Sequence, residues 1–284
     1  MTDPTASLPQ EFVEKEGIVY FETLFAVGDK TYKEVTEVNR EEFVESLSYI
    51  TPYPKSSMAS PPDALEIYEK AIDEGYDEIL YLAVSPNITN MIAPARIAAK
   101  KVKDKIKVTI FPTGLMGPSQ GAMVYSAMKL FNKGKSVDEV LSYLDSIKEN
   151  IHTAGFSADF NTLYRTGRVK KGVKISVIST VMKLKPLFEI NLDIGVVGIG
   201  GGLGYGSAIK KVTTNLREKA QSDVTYDLFL LDAMAPEKSK KLEKSIKNVI
   251  PINEVHFWQL PTMIIWAVGK GAAIATIAPT MSDE

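Results

Sequence analysis

Two short stretches concentrate hydroxyl side chains: Lys55-Ser56-Ser57-Met58-Ala59-Ser60-Pro61 and Ser85-Pro86-Asn87-Ile88-Thr89-Asn90. Ser and Thr hydroxyls donate to a carboxylate without supplying a counter-charge. That chemistry suits a small anionic or neutral head group better than a polyphosphate. Taken alone, the serine–proline pattern also reads as a turn and a helix cap, and Ser60 before Pro61 is placed for that duty. Ser56 and Ser57 precede the cap and are free of it. Thr89 serves two readings, as N-cap of the helix it opens and as a donor beside N–H groups that attract anions.

The elements that must position these residues alternate. Between the two stretches an amphipathic helix runs from about Pro62 to Glu74, followed by Gly75 and an apolar strand, Glu78 to Val84. Residues 18–28 read as one or two strands closed by a Gly-Asp turn, and a helix follows near Arg40–Tyr49. After Thr89 come a helix, a strand at 105–111 and a helix ending at Gly134, a good residue just past a helix end. Ser136 and Glu139 form a capping box that opens a helix over 136–149. This β-α-β-α-β order predicts a parallel sheet whose loops meet at one edge, so that both hydroxyl stretches face one site.

The pattern changes near residue 150. A strand at 151–158, a hairpin over 187–200 turning at Asn191–Asp193, strands at 226–233 and 253–260 and helices at 207–219 and 236–248 predict an antiparallel or mixed second sheet. The expected fold class is α/β with two domains: residues 1–150, carrying the hydroxyl turns, and residues 151–284.

Composition narrows the function classes. The chain has 284 residues, 24% of them charged, with a net charge of −2, which favours neither nucleic acid nor an acidic membrane surface. It has no Cys and two His, His152 and His256, so neither a thiol nucleophile nor a zinc site of ordinary His/Cys type is expected. No apolar run approaches a membrane span, and the first residues lack the pattern of a signal peptide, so a cytoplasmic location is expected. The run Gly198-Ile-Gly-Gly-Gly-Leu-Gly-Tyr-Gly206 precedes a helix but fits G-x-G-x-x-G in no frame, and no P-loop Lys-Ser/Thr follows. It reads as a flexible connection between hairpin and helix. Lys183 and Lys185 read as surface charges. Leu115, Met116, Met123, Met128, Val177, Ile178, Val181, Met182 and Leu187 read as core, with some available to line a tunnel, a task to which methionine is suited.

The stretch KSSMASPPDALEIYEKAIDEGYDEILYLAVSPNITNMIAPARIAA resembles the DegV family of fatty-acid-binding proteins, with its Thr-Ser-Gln-Pro-Ser-Pro turn, helix, strand and Ser-Ser-x-Leu-Ser-Gly-Thr turn. MTDPTASLPQEF, VGDKTYKEVTEVNREEF, DFNTLYRTGRVKKG and MKLKPLFEI extend the resemblance over nearly the whole chain. It implies the same two domains with the ligand held between them, and an intracellular binding protein for a long-chain fatty acid or similar amphiphile, not itself an enzyme and without a cofactor. The head group would be held by Ser56, Ser57 and Thr89, with Asn90 at the family's Gly. Each buried methylene contributes roughly 0.8 kcal/mol, so a tail of ~14 offers on the order of 11 kcal/mol before ordering costs.

In the family a separate fatty-acid kinase phosphorylates the bound acid. The chain departs from the family pattern there. The family's His-x-Gly-Pro-Gly reads Ala267-Val268-Gly269-Lys270-Gly271, so that Ala267 stands at the head-group His, and the family's kinase-facing Arg falls near Gly204. Arg168 and Lys270 are the cations available for a second shell or partner contact. The rival reading is a transferase acting on a phosphorylated or acyl substrate in the inter-domain cleft, against which stand the missing nucleotide motif, Cys and paired His–carboxylate motif.

Overall fold

The computed structural model describes residues 1–166 and 183–281. Residues 1–3 run between two neighbours as an extra strand: Phe21 N–H donates to Thr2 O at 2.8 Å, and Leu82 N–H to Met1 O at 3.0 Å. After a 3-10 turn at Pro4–Ala6 and α1 (Gln10–Lys15), the predicted 18–28 stretch divides. Tyr20 bridges Thr2 in parallel, whereas β1 (Leu24–Val27) pairs antiparallel with β2 (Lys30–Lys33) and, after α2 (Arg40–Ser46), with β3 (Lys55–Ser57). The first hydroxyl stretch is therefore in part a strand of a three-stranded antiparallel sheet, and does not leave the end of a parallel strand.

The next elements follow the sequence closely. Helix α3 (Pro61–Asp73) opens on Ser60, whose N–H and hydroxyl both donate to Asp63 at 2.6 Å. Strand β4 (Glu78–Ala83), α4 (Ile92–Val102) and β5 (Lys107–Pro112) form a βαβ unit with β4 and β5 parallel. The α4 N-cap is Met91, not Thr89, because Thr89 is still in the turn, its N–H given to Ser85 O at 3.2 Å. Helices α5 (Pro118–Asn132) and α6 (Val137–Ile147) follow, the second with the expected Ser136–Glu139 capping box.

The six-stranded sheet starts at β6 (His152–Phe156). After α7 (Phe160–Arg165) come the hairpin β7 (Leu184–Asn191) and β8 (Gly195–Leu203), α8 (Gly204–Lys219), β9 (Tyr226–Asp232), α9 (Pro236–Lys247), β10 (Ile252–Gln259), α10 (Thr262–Val268) and β11 (Ala273–Pro279). Its order is β10-β9-β11-β6-β7-β8, parallel only between β9 and β10. One face carries Ala154, Phe156, Leu228 and Ala275 and packs on α8 and α9 through Val212, Leu216 and Leu242. The other carries Phe188, Phe229, Trp258 and Ile274 and packs on α5, α6 and α10.

The glycine run corrects the sequence reading. It is not a flexible connection: Gly198, Gly200, Gly201 and Gly202 are ladder residues of β8, and α8 starts at Gly204. Gly202 is there because a Cβ would lie 2.6 Å from Ala208 Cα, so only a bare backbone lets α8 lie this close to the strand. No described helix is long and apolar enough to cross a membrane.

Candidate functional site

A cavity of about 680 Å³ lies between the inner face of the six-stranded sheet and the hydroxyl stretches. Its floor follows in part from strand alternation. The register sets Val196 and Gly198 of β8 beside Ile190 and Phe188, and a shift in the ladder beyond Gly198 brings Gly200, paired with Leu187, to the same cavity. Thr153 and Ile274 continue this face onto β6 and β11. A Cβ built on Gly198 or Gly200 meets nothing within 4 Å, so these glycines widen the cavity by the volume of the side chains they lack. The roof comes from β3, the β4–α4 turn, the start of α5 at Gly117-Pro118, and α10.

The structure brings Ser56, Ser57 and Thr89 to this one cavity, together with Ala267. Asn90 is exposed and does not line it. Lys270 borders a separate surface groove with Tyr53 and Arg165. Arg168 lies outside the described residues, as do Val177, Ile178, Val181 and Met182. Of the other tunnel candidates, Met116 and Leu187 line the cavity, while Leu115 and Met123 are core.

Every polar side chain among the described lining residues is a Ser or Thr, and none is charged. They differ in what they have to give. Thr5 donates to Asp3 and Thr23 to Glu34, so those protons are committed. The hydroxyls of Ser57, Thr89 and the buried Ser157 have no hydrogen-bond partner among the described residues, and can donate to a guest. The N-terminus of α5 adds a favourable end of a helix dipole for a negative head group.

Two carboxyls that the sequence reading did not single out stand behind the wall. Asp3 is fully buried, and its Oδ2 accepts from Val84 N–H at 2.9 Å, Gln120 Nε2 at 3.1 Å and Tyr81 Oη at 3.3 Å. Burial raises its pKa, and the Thr5, Val84, Gln120 and Tyr81 donors oppose the rise. Glu34, in the turn after β2, accepts from Met263 N–H of α10 at 2.6 Å and from Thr23. Burial pushes Glu34 up to about 7 against those two hydrogen bonds. Asp3 and Thr5 stand in the Thr-Asp-Pro-Thr segment already noted for its resemblance. Glu34 has no local signal, because its partners are 11 and 229 residues away.

One tie holds the roof to the floor, and a second holds two roof elements together. Asn87 Nδ2 donates to Leu192 O at 3.2 Å and Asp193 O at 2.8 Å, joining the second hydroxyl turn to the hairpin tip. Trp266 Nε1 donates to Pro54 O at 3.0 Å, and Tyr53 Oη returns a bond to Trp266 O at 3.1 Å, joining α10 to the segment before β3.

A family model described as "Uncharacterised protein, DegV family" matches residues 1–279. A DegV domain-containing protein of Clostridium acetobutylicum is 25% identical over 262 residues, 90% of this chain and 89% of that one. Among solved structures, a DegV lipid binding protein from Thermotoga maritima superposes with a TM-score of 0.87 at 21% identity, over 99% of this chain and 98% of that one. A fatty-acid-binding DegV family protein from Thermus thermophilus superposes with a TM-score of 0.85 at 22% identity, over 98% of each chain.

Proposed function

The chain belongs to the DegV family, and on that premise we propose that it is a binding protein for a long-chain fatty acid or similar amphiphile. The observation that carries this reading is the cavity. Its 680 Å³ falls within the roughly 300–1,000 Å³ of small-molecule sites. Its described walls are apolar apart from hydroxyls, and three of those hydroxyls, Ser57, Thr89 and Ser157, have no hydrogen-bond partner among the described residues. An ionised carboxylate buried without donors is very costly, so the head group belongs with the hydroxyls of the two turns, Ser56, Ser57 and Thr89. In this reading residues 1–150 supply the head-group turns and residues 151–284 the sheet face against which the tail lies. The tail supplies affinity, and the hydroxyls supply orientation. The lipid and fatty-acid binding described for the Thermotoga and Thermus proteins supports the assignment.

The binding function requires no catalytic residue, and the phosphate-handling part of a kinase partnership is weakly equipped. Ala267 offers the cavity a methyl group, and Gly204 opens α8 at φ 69° with no side chain. The test of the proposal is direct. Protein purified from a heterologous host is denatured, and its organic extract is examined by mass spectrometry. About one long-chain acid per chain is expected. An empty extract together with no saturable binding of fluorescent fatty acids overturns the reading.

A further inference from the structure

At the far end of the same sheet face, Asp227 of β9 and Glu254 and His256 of β10 converge. Each offers one ligand atom, and these atoms lie within 4.8 Å of one another. The register explains the convergence. β9 and β10 are parallel, with His256 beside Phe229, and the pairing shifts between Ile252 and Val255. Residues 254 and 256 share a strand face, and the shift lets Glu254 N–H reach Asp227 Oδ1 at 3.2 Å.

Three features distinguish this cluster from ordinary surface acids. First, His256 Nε2 is completely buried and has no hydrogen-bond partner among the described residues, although it stands 3.5 Å from Glu254 Oε2. An orphaned buried nitrogen is costly. Second, the imidazole is held rigidly, stacked on Phe229 at 4.6 Å and 17° and tilted against Tyr125 at 4.9 Å. Third, Asp227 is 5% exposed and no described Lys or Arg forms an ion pair with it. Its Oδ1 is oriented by Asn253 Nδ2 at 3.1 Å, Glu254 N–H, and Thr280 Oγ1 at 2.9 Å, leaving Oδ2 to a ligand. The same three donors form the outer shell that a metal-ligating carboxylate ordinarily has. Burial lowers the His256 pKa against the opposing pull of Asp227 and Glu254. Lys129 of α5 is the nearby cation among the described residues, its Nζ 5.2 Å from the Tyr125 ring centroid. Two carboxylates outweigh its charge.

We propose that Asp227, Glu254 and His256 form a binding site for a divalent transition-metal ion. One imidazole nitrogen with two carboxylate oxygens suits Zn²⁺, Co²⁺ or Mn²⁺ and provides three protein ligands with a further position for water. The 3.5 Å from His256 Nε2 to Glu254 Oε2 is already close to the edge of a tetrahedron whose ligands stand about 2.0–2.2 Å from the metal. Glu254 is half exposed, 48% by side chain, which gives both an entry path and the freedom to close on the ion. Nothing local in the sequence points to this: two His far apart argue against an ordinary zinc site, and the set is completed by carboxylates that only the β9–β10 pairing brings together.

The experiment uses the full chain without a histidine tag. Chelator-treated protein is titrated with Zn²⁺ by calorimetry and with Co²⁺ by visible absorption. About one equivalent of saturable binding is expected, with Co²⁺ giving a d–d band of low coordination number. Glu254→Gln, on the exposed side, and His256→Phe, which keeps the aromatic stack, are each expected to weaken Co²⁺ binding on the order of 100-fold, the upper end of what outer-shell changes alone cost. Circular dichroism of the metal-free variants checks that both are folded, and Glu254→Gln answers the question if His256→Phe is not. No saturable binding of either ion, or parent-like affinity in folded Glu254→Gln, overturns the proposal.

Discussion

Glu34 is 3% exposed behind the cavity wall, and its carboxyl holds Thr23 and the start of α10. Its pKa rises from an ordinary 4.5 to about 7 on folding. Between those two values the folded chain keeps a proton that the unfolded chain has released. Stability therefore falls as pH rises through this window, by about 3 kcal/mol, and then levels off. Asp3, also raised, acts with the same sign. Glu34→Gln is expected to flatten the dependence, measured by denaturant unfolding at pH 5 and pH 8. An unchanged slope would place the titration elsewhere. For Ser57 and Thr89, the joint replacement by Ala is expected to weaken lipid binding by roughly 1–3 kcal/mol, the cost of an unpaired buried acceptor. Because Met91 and not Thr89 caps α4, the melting temperature should move little, and parent-like affinity of the double variant would put the head group elsewhere. The hydroxyl residues were legible from sequence because their types are unusual at that density. Their difference from Thr5 and Thr23 was not, because the committed protons depend on Asp3 and Glu34.

β8 is the element whose role the sequence misstated. Runs of glycine carry no side-chain pattern, and alternation cannot be read where there is nothing to alternate. In the sheet the run divides into two functions, which substitutions separate. Gly198→Leu places a side chain in open cavity and is expected to leave the fold intact while cutting fatty-acid affinity at least tenfold, as measured by fluorescent-ligand displacement. Gly202→Ala meets Ala208 backbone at 2.6 Å and is expected to lower stability by about 1–3 kcal/mol with less effect on affinity at the retained fold. Reversed outcomes would mean that β8 faces the other way. Elements with a clear period were read within a few residues of their ends: α3, β4, α6 and the β7–β8 hairpin. The three-residue β3, the strand-like residues 1–3, α10 and β11 were not read. β11, Ala-Ile-Ala-Thr-Ile-Ala-Pro, is buried on both faces between β9 and β6, so it lacks alternation and has small side chains of low strand preference.

At the scale of the molecule, the change of pattern near residue 150 coincides with β6, where the six-stranded sheet begins, while the helices on its inner face, α5 and α6, come from before that point. Sequence order showed the alternation of elements. It could not show that the last strand closes the middle of the sheet, since that pairing joins β11 to β6 across more than a hundred residues. The site depends on the whole assembly, and so does any partnership built on it. Phosphoryl transfer to a bound acid needs donors aimed at the developing charge, and Ala267 and Gly204 supply none. Lipid-loaded protein is expected to be a poor acceptor for a bacterial fatty-acid kinase in an assay with labelled ATP, and Ala267→His is expected to improve transfer. An arginine at position 204 would have to take up φ 69°, a conformation costing roughly 1–2 kcal/mol for a side-chain-bearing residue, so the single change is the cleaner test. Efficient transfer by the unmodified protein would show that other cations compensate.

The absence of charge among the described lining residues bears on how the protein would choose its guests. Ion pairing weakens as salt shortens the Debye length from about 10 Å at 0.1 M to about 3 Å at 1 M. Hydroxyl donors have little such sensitivity, and a hydroxyl can turn to accept as readily as it donates. Fatty-acid affinity is therefore expected to change by less than about threefold across that range, and a long-chain alcohol or primary amide should compete for the cavity. A steep loss of affinity with salt, or complete rejection of the neutral competitors, would mean that a charged group beyond these residues grips the head. Within this pocket, discrimination would rest on the length and shape of the tail.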